Sequence, residues 1–279
     1  MWAKIVLAGL FLLMVCGALH FDSSRVPAPP SASPSETGQR LRLMTWNIGY
    51  AELEPDTRAH TKDLKAVAET ILSQDPDAVA LQELTGDEQL KILEGYLHGR
   101  YRGVAARPGG ADRVEAVLVK DQAARFEEVQ ARDGGGESAL AATFHPRPES
   151  LAVVLLSAHA DAFSAARRRA FTGELADWSR HRPTETRVFI AGDFNFEVDT
   201  GDQSHLYTDN LKHDSEAYSY LLKYFRDLGR EAGDTAINDR RIDYIFGPRD
   251  AAHEPRASVL RSAAVGRMDH WPLVVEVDL

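Results

Sequence analysis

The run Val188-Phe189-Ile190-Ala191-Gly192-Asp193-Phe194-Asn195 decides how the chain is read. Apolar residues end at a glycine, and Asp193 and Asn195 follow at once. A short apolar run bounded by turn residues reads as a buried strand. Alone, its polar end is equally consistent with an ordinary turn. The same arrangement recurs, however. Asn47 follows Leu43-Met44-Thr45-Trp46, and Glu83 follows Val79-Ala80-Leu81-Gln82. His159 and Asp161 follow Val153-Val154-Leu155-Leu156-Ser157-Ala158. Asp243 lies inside Arg241-Ile242-Asp243-Tyr244-Ile245-Phe246, and Asp269-His270 precede Leu273-Val274-Val275. Six strands thus each deliver a carboxylate, amide or imidazole near one end. If those ends lie together, the groups converge.

The residue types set the chemistry. Carboxylates and amides without cysteine form an oxygen-rich site for a hard cation, Mg²⁺ or Mn²⁺. Such an ion accepts one or two protein carboxylates and leaves room for a phosphate. A carboxylate free of the metal can take a proton from an attacking water. A protonated histidine, kept so by a second carboxylate, can bind developing negative charge.

Outward from these runs, apolar strands alternate with amphipathic helices. The pattern predicts strands over 41–48, 78–81, 114–119, 139–144, 151–157, 187–191, 242–246, 257–262 and 273–277. It predicts helices over 61–73, 87–97, 162–180 and 217–225, and irregular polar chain over 197–215. Gly109-Gly110 and Gly134-Gly135-Gly136 are turn signals. This mixed order, with several strands late in the chain, implies α/β architecture with a sheet-on-sheet core.

The N-terminus is different in kind. Residues 1–18 read as an export signal: Lys4 precedes an apolar run from 5 to 19, shorter than the roughly 20 residues of a spanning helix. A cleaved signal peptide, an uncleaved anchor and a lipoprotein modified on Cys16 are the three readings. All place the domain outside the cytoplasm, periplasmic or secreted. Residues 19–39 form a linker rich in proline and serine, and the folded domain is expected over 40–279. Cys16 is the sole cysteine of the 279 residues, so the domain has no internal disulfide. The net charge of −10 does not by itself attract nucleic acid or anionic membrane.

Thr45-Trp46-Asn47-Ile48, Leu81-Gln82-Glu83-Leu84, Ser157-Ala158-His159-Ala160-Asp161, Gly192-Asp193-Phe194-Asn195, Arg241-Ile242-Asp243-Tyr244-Ile245 and Asp269-His270-Trp271-Pro272 stand in that order. They resemble the ordered motifs of the endonuclease/exonuclease/phosphatase superfamily, over residues 41–279. The resemblance implies a four-layer α/β sandwich: two mixed sheets face to face, with helices on both outer surfaces. It also implies roles. Glu83, helped by Asn47, would hold the catalytic metal, with Asp269 near or in its shell. Asp193 would orient or deprotonate the attacking water, positioned by Asn195. His270, held by Asp243, would bind phosphoryl oxygens, and His159 would act at the scissile phosphate or leaving group. Attack would be in line, with no covalent intermediate.

Some branches of that superfamily fit less well. Gly49 stands where apurinic-site endonucleases carry an acidic residue, and their Asn-Gly-Leu-Arg pattern is absent. Phe196-Glu197 replace the Tyr-Arg of inositol-polyphosphate 5-phosphatases, and Met268 replaces a small hydroxyl residue before Asp-His. Substrate choice in such a fold lies in loops, here 107–113, 197–215 with His205, Tyr207, His213 and Asp214, and 230–240. Asp161, Arg168 within Arg167-Arg168-Arg169, and Arg241 are the candidate substrate contacts. The expectation is an exported, monomeric, metal-dependent phosphoesterase acting on a phosphate ester, with nucleic acid or a nucleotide as one substrate group. The alternatives are a sphingomyelinase-like headgroup hydrolase, meeting a membrane through its lipid or its N-terminus, and an inactive binding protein on the same fold.

Overall fold

The structure, a computed structural model, describes residues 39–49, 57–106, 113–131, 137–196, 198, 208–250 and 253–279. The expected signal segment, the linker up to residue 38, both glycine turn signals, His205 and Tyr207 lie outside the described residues.

Two mixed six-stranded sheets pack face to face, with helices on each outer surface. The first sheet has the order β11-β12-β1-β2-β4-β3, and the second β5-β6-β7-β8-β10-β9. In the first, β1 (Arg40–Asn47) runs parallel to β2 (Ala78–Leu84) and antiparallel to β12 (Leu273–Asp278). β3 (Arg102–Ala106), β4 (Val114–Val119) and β11 (Arg256–Val259) complete it. In the second, β7 (Ala152–His159) runs parallel to β8 (Thr186–Asp193), and β8 pairs antiparallel with β10 (Asp243–Pro248). β5 (Arg125–Gln130), β6 (Ser138–Phe144) and β9 (Phe225–Asp227) fill the rest. Helices α1 (Thr57–Gln74) and α2 (Asp87–Tyr96) contribute to the first sheet's outer core, and α3 (Ala165–Arg180) and α4 (Leu211–Leu222) to that of the second.

Alternation of side chains along a strand explains three separate cores. On β1, Leu41 and Leu43 enter the seam between the sheets, while Met44 and Trp46 enter the layer under α1 and α2. On β8, Phe189 and Ala191 face the seam, while Val188 and Ile190 face α3 and α4. Both faces of these central strands are buried, which is why they read as unbroken apolar runs. Each fully buried large side chain contributes roughly 1.5–3 kcal/mol of transfer free energy.

Three expectations are corrected. Strands β3 and β5 lie at sheet edges and carry exposed residues, so no apolar run announced them. Residues 211–215, expected to be irregular, open α4: Asn210 caps it, its side chain accepting from the backbone N–H groups of Lys212 and His213. Phe225 belongs to β9 and not to the preceding helix.

Candidate active site

Side-chain parity places the polar strand ends. Asn47, His159, Asp193 and Asp243 share the parity of the seam-facing residues Leu43, Leu155, Ala191 and Ile245 on their strands. His159 and Asp243 are both register partners of Asp193, so these three form a row across adjacent strands. The two sheets therefore deliver their last seam-facing residues to one mouth. Beneath it lies a buried polar layer. Gln82 Nε2 donates to Ser157 Oγ at 2.9 Å, Ser157 Oγ to the Leu81 carbonyl at 3.1 Å, and Thr45 Oγ1 to Gln82 Oε1 at 3.3 Å.

Glu83 reaches the mouth by a backbone device. Alternation would send it to the helix side with Val79 and Leu81. The β2–β4 register shifts between Leu81 and Leu84, and Glu83 has a left-handed φ of 62°. Leu84 then packs on the helix side, and Glu83 turns to meet Asn47. A Cβ at Gly49 would sit 2.1 Å from Glu83 Oε2, so glycine leaves that carboxylate its space.

Gly192-Asp193-Phe194-Asn195 has a similar local logic. Gly192 has φ 146°, and a Cβ there would lie 1.8 Å from the Ala158 carbonyl oxygen on β7. Only glycine admits that approach. Phe194 and Phe196 enter the outer core, with ring centroids 5.2 Å apart, and anchor the turn. Asn195 takes a left-handed φ of 52°, a conformation asparagine tolerates. Its N–H donates to Asp193 Oδ1 at 2.9 Å, and its side-chain amide to the Ala160 carbonyl at 3.0 Å.

The assembled geometry is tight. Asn47 Nδ2 donates to Glu83 Oε1 at 3.1 Å and to Asp193 Oδ2 at 3.0 Å, joining the sheets. His159 Nε2 lies 3.8 Å from Glu83 Oε1 and 3.7 Å from Asp193 Oδ2. His270 Nε2 is 3.7 Å from the same Asp193 oxygen, and its Nδ1 donates to Asp243 Oδ2 at 2.8 Å. His270 is positioned by a bridge to Ala236, and its carbonyl accepts from Trp46 Nε1 at 3.2 Å. The cluster is graded in depth. The Glu83 and His159 side chains are 21% and 22% exposed, those of Asp193 and His270 only 3% and 8%, and that of Asp243 is wholly buried. The mouth is therefore open on the Glu83–His159 side.

The electrostatics follow from crowding. Burial opposes charge on His270, but Asp243, Asp193 and Asp269 outweigh it and raise its pKa to about 10. Its imidazolium therefore persists at neutral pH, with both nitrogens protonated. Burial also pushes Asp243 up, against the pull of His270. Asp269 is raised by burial, with the charges of Glu83 and Asp193 adding to it. Ligand atoms of Asp193, Asp243 and His270 all lie within 4.8 Å of one another, a potential metal-binding triad. Four crowded carboxylates are the donor set a hard divalent cation takes.

Three groups here were not singled out from the sequence. Arg113 Nη1 lies 3.9 Å from Glu83 Oε2 and 3.4 Å from the Glu83 carbonyl. Glu115, on the seam face of β4, is pushed well above the usual carboxylate range by burial, with Glu137's charge adding, while the His159 N–H opposes the rise. Glu137 is raised to about 7 by burial and then by Asp161. The readable signal was a lone Glu inside the apolar strand Val114–Val119.

The expected substrate contacts are placed otherwise. Arg168 is fully buried: Nε and Nη2 grip both oxygens of Asp214 at 2.8 and 3.0 Å, and Nη1 donates to the Asp161 carbonyl at 2.9 Å. It ties α3 to α4 and does not face the mouth. Arg241 is buried against Asp227 at 2.6 Å, its guanidinium 4.4 Å from the Tyr244 ring centroid. Asp161 caps a turn: Oδ1 accepts from the N–H groups of Phe163 and Ser164, and Oδ2 pairs with Arg167 at 3.1 Å. Burial opposes it, yet those donors hold its carboxyl below the usual range. Asp214 is Arg168's partner, so it is not a loop residue of the site. A cavity of about 770 Å³, lined in part by Arg226, Asp227, Arg249 and Glu254, lies toward the Pro248 end of β10, opposite Asp243, and holds none of the carboxylates or imidazoles of the mouth.

The comparisons with known proteins bear on the fold. The fold is shared at 18% identity and a TM-score of 0.67 with an endonuclease/exonuclease/phosphatase from Bacteroides vulgatus, covering 86% of this chain and 99% of that one. TDP2 from Caenorhabditis elegans is 19% identical with a TM-score of 0.62, over 86% and 75% of the two chains. A family protein from Leptotrichia buccalis is 16% identical with a TM-score of 0.63, over 86% and 100%. No curated protein matches the sequence. The model of the Endonuclease/Exonuclease/phosphatase family matches residues 44–266. Most of the chain lies within that match, and the chain belongs to the endonuclease/exonuclease/phosphatase family, whose members hydrolyse phosphoester bonds.

Proposed function

We propose that the chain is a divalent-metal-dependent phosphoesterase that cleaves a phosphodiester or phosphomonoester by in-line attack of water, with a nucleotide or nucleic acid as substrate. The observation that carries this is Asn47, whose amide bridges Glu83 at 3.1 Å and Asp193 at 3.0 Å across the two sheets. It sets a partly exposed carboxylate beside a buried one.

Glu83, with Asn47 and Asp269, would hold Mg²⁺ or Mn²⁺, since Glu83 is the carboxylate open to solvent and Asp243 and His270 are already joined by a proton. Such a cation, when bound, neutralises phosphoryl charge and polarises phosphorus toward attack. Asp193 is oriented by Asn47 on one oxygen and by the Asn195 N–H on the other, and it accepts the proton of the attacking water. His270, its Nδ1–H committed to Asp243, presents Nε2–H to the phosphoryl oxygens. His159, on the open side, donates to the phosphoryl group or the leaving oxygen. Lys4 and the apolar run behind it support action outside the cytoplasm.

The test is hydrolysis of bis-p-nitrophenyl phosphate with Mn²⁺ or Mg²⁺. EDTA should abolish it, and Asp193→Asn and His270→Gln should each reduce kcat by about 10²–10⁴-fold. Glu83→Gln should weaken Mn²⁺ binding, read by calorimetry without substrate. Activity untouched by EDTA, or surviving both catalytic substitutions, removes the mechanism.

A further inference from the structure

Phe163 is the one exposed aromatic side chain among the described residues, with 87% of its surface open. Scattered exposed apolar residues are ordinary. This one stands on a rigid support beside the site. Asp161 Oδ1 accepts from the N–H of Phe163 and of Ser164, both at 2.7 Å, and its other oxygen holds Arg167. Phe163 stands four positions after His159, so their Cα atoms lie within roughly 14 Å of each other even for fully extended chain. His159 marks the open side of the mouth. The Arg167 side chain is 58% exposed in the same turn.

An exposed aromatic ring on a pinned backbone, with a guanidinium held by the same Asp161, suits a nucleotide: every base offers a π-face to stack on, and a flanking phosphate meets the cation. A lipid surface fits less well. Insertion into an interface takes several apolar residues above a basic face, whereas Phe163 stands in the run Asp161-Ala162-Phe163-Ser164 in a chain of net charge −10.

We propose that Phe163 stacks on the base of the nucleoside joined to the scissile phosphate, with Arg167 beside an adjoining phosphate. This rests on the phosphoesterase reading above and names the substrate class of that site. The test compares two esters with the same leaving group: the p-nitrophenyl ester of thymidine 5′-monophosphate and methyl p-nitrophenyl phosphate, each with Mn²⁺.

The wild-type chain should prefer the nucleotide ester. Phe163→Ala should lower the ratio of the two kcat/KM values about tenfold, within the range of aromatic–base stacking. Phe163→Trp should retain the ratio. A ratio unchanged in Phe163→Ala, or lowered equally by alanine and tryptophan, overturns the proposal. A wild-type chain that cleaves both esters without preference also overturns it, while the phosphoesterase reading stands. Turnover of neither ester overturns both. Sphingomyelin vesicle hydrolysis lost in Phe163→Ala, with the nucleotide ratio unmoved, assigns the ring to a lipid surface and overturns it too.

Discussion

Replacing Arg168 with methionine separates two readings of one residue. Read from sequence, Arg168 contacts substrate; in the structure it is a buried strut. Its guanidinium makes two bonds to Asp214, one to the Asp161 carbonyl and one to Thr208 Oγ1, the last at 2.7 Å. Both ionic partners are 0% exposed. Arg168→Met leaves Asp214 charged and unpaired in the interior, which costs about 3–5 kcal/mol. At about 2–4 °C per kcal/mol for a domain of this size, Tm should fall by roughly 6–20 °C. Adding Asp214→Leu removes the stranded charge and should restore most of that loss, because replacing both members of a buried pair by apolar groups is often neutral. Recovery stays short of complete, since the acceptors at Asp161 and Thr208 lose donors at about 1 kcal/mol each. Urea unfolding gives the stabilities, and kcat/KM is measured where every variant is folded. There, kcat/KM should change by less than about fivefold, or ~1 kcal/mol. A variant of unchanged stability whose kcat/KM drops a hundredfold would refute the strut and return Arg168 to the substrate.

Gly192→Ala should destabilise the domain by more than about 3 kcal/mol, beyond the usual span for point substitutions; denaturation that shifts by under 1 kcal/mol contradicts the close approach of the Ala158 carbonyl. The His270 imidazole, followed by nitrogen NMR in metal-free protein, should titrate near 10 and not near 6.5. Because its folded pKa is raised, its contribution to stability is complete below about pH 6.5 and is lost as pH rises through about 10. Asp243→Asn should move the titration downward, and an unmoved titration would deny Asp243 that role.

Much of the fold was legible because its central strands are buried on both faces. Runs such as Val153–Ala158 and Val188–Ala191 could be nothing else once flanked by turn residues. The edges were not legible: β5, Arg125–Gln130, buries only Val129 fully, so it reads as polar chain. The start of α4 was hidden because its helical signal is a cap, Asn210, ahead of mostly polar residues. In the site, the ends of strands were readable, since a polar group terminating an apolar run is visible locally. Arg168 was not, because its partner Asp214 is 46 residues away. Glu83 shows the same limit in milder form. Its identity was read, but the bulge that turns it toward Asn47 depends on pairing with β4.

The pairing of β1 with β12 has a consequence for how the protein comes into being. Thr45 is the register partner of Leu273, and Arg40 that of Asp278. Nearly the whole domain must be looped out before this pair closes, and Asp269 and His270 are brought to Asn47 only by that closure. Contacts so distant in sequence form late and slowly. Helices and the β7–β8 unit can assemble early, yet such an intermediate would lack the imidazolium and three of the four carboxylates, Glu83, Asp243 and Asp269. Catalytic competence therefore arrives as the final event of folding, and a partly folded chain is chemically inert however native its local structure.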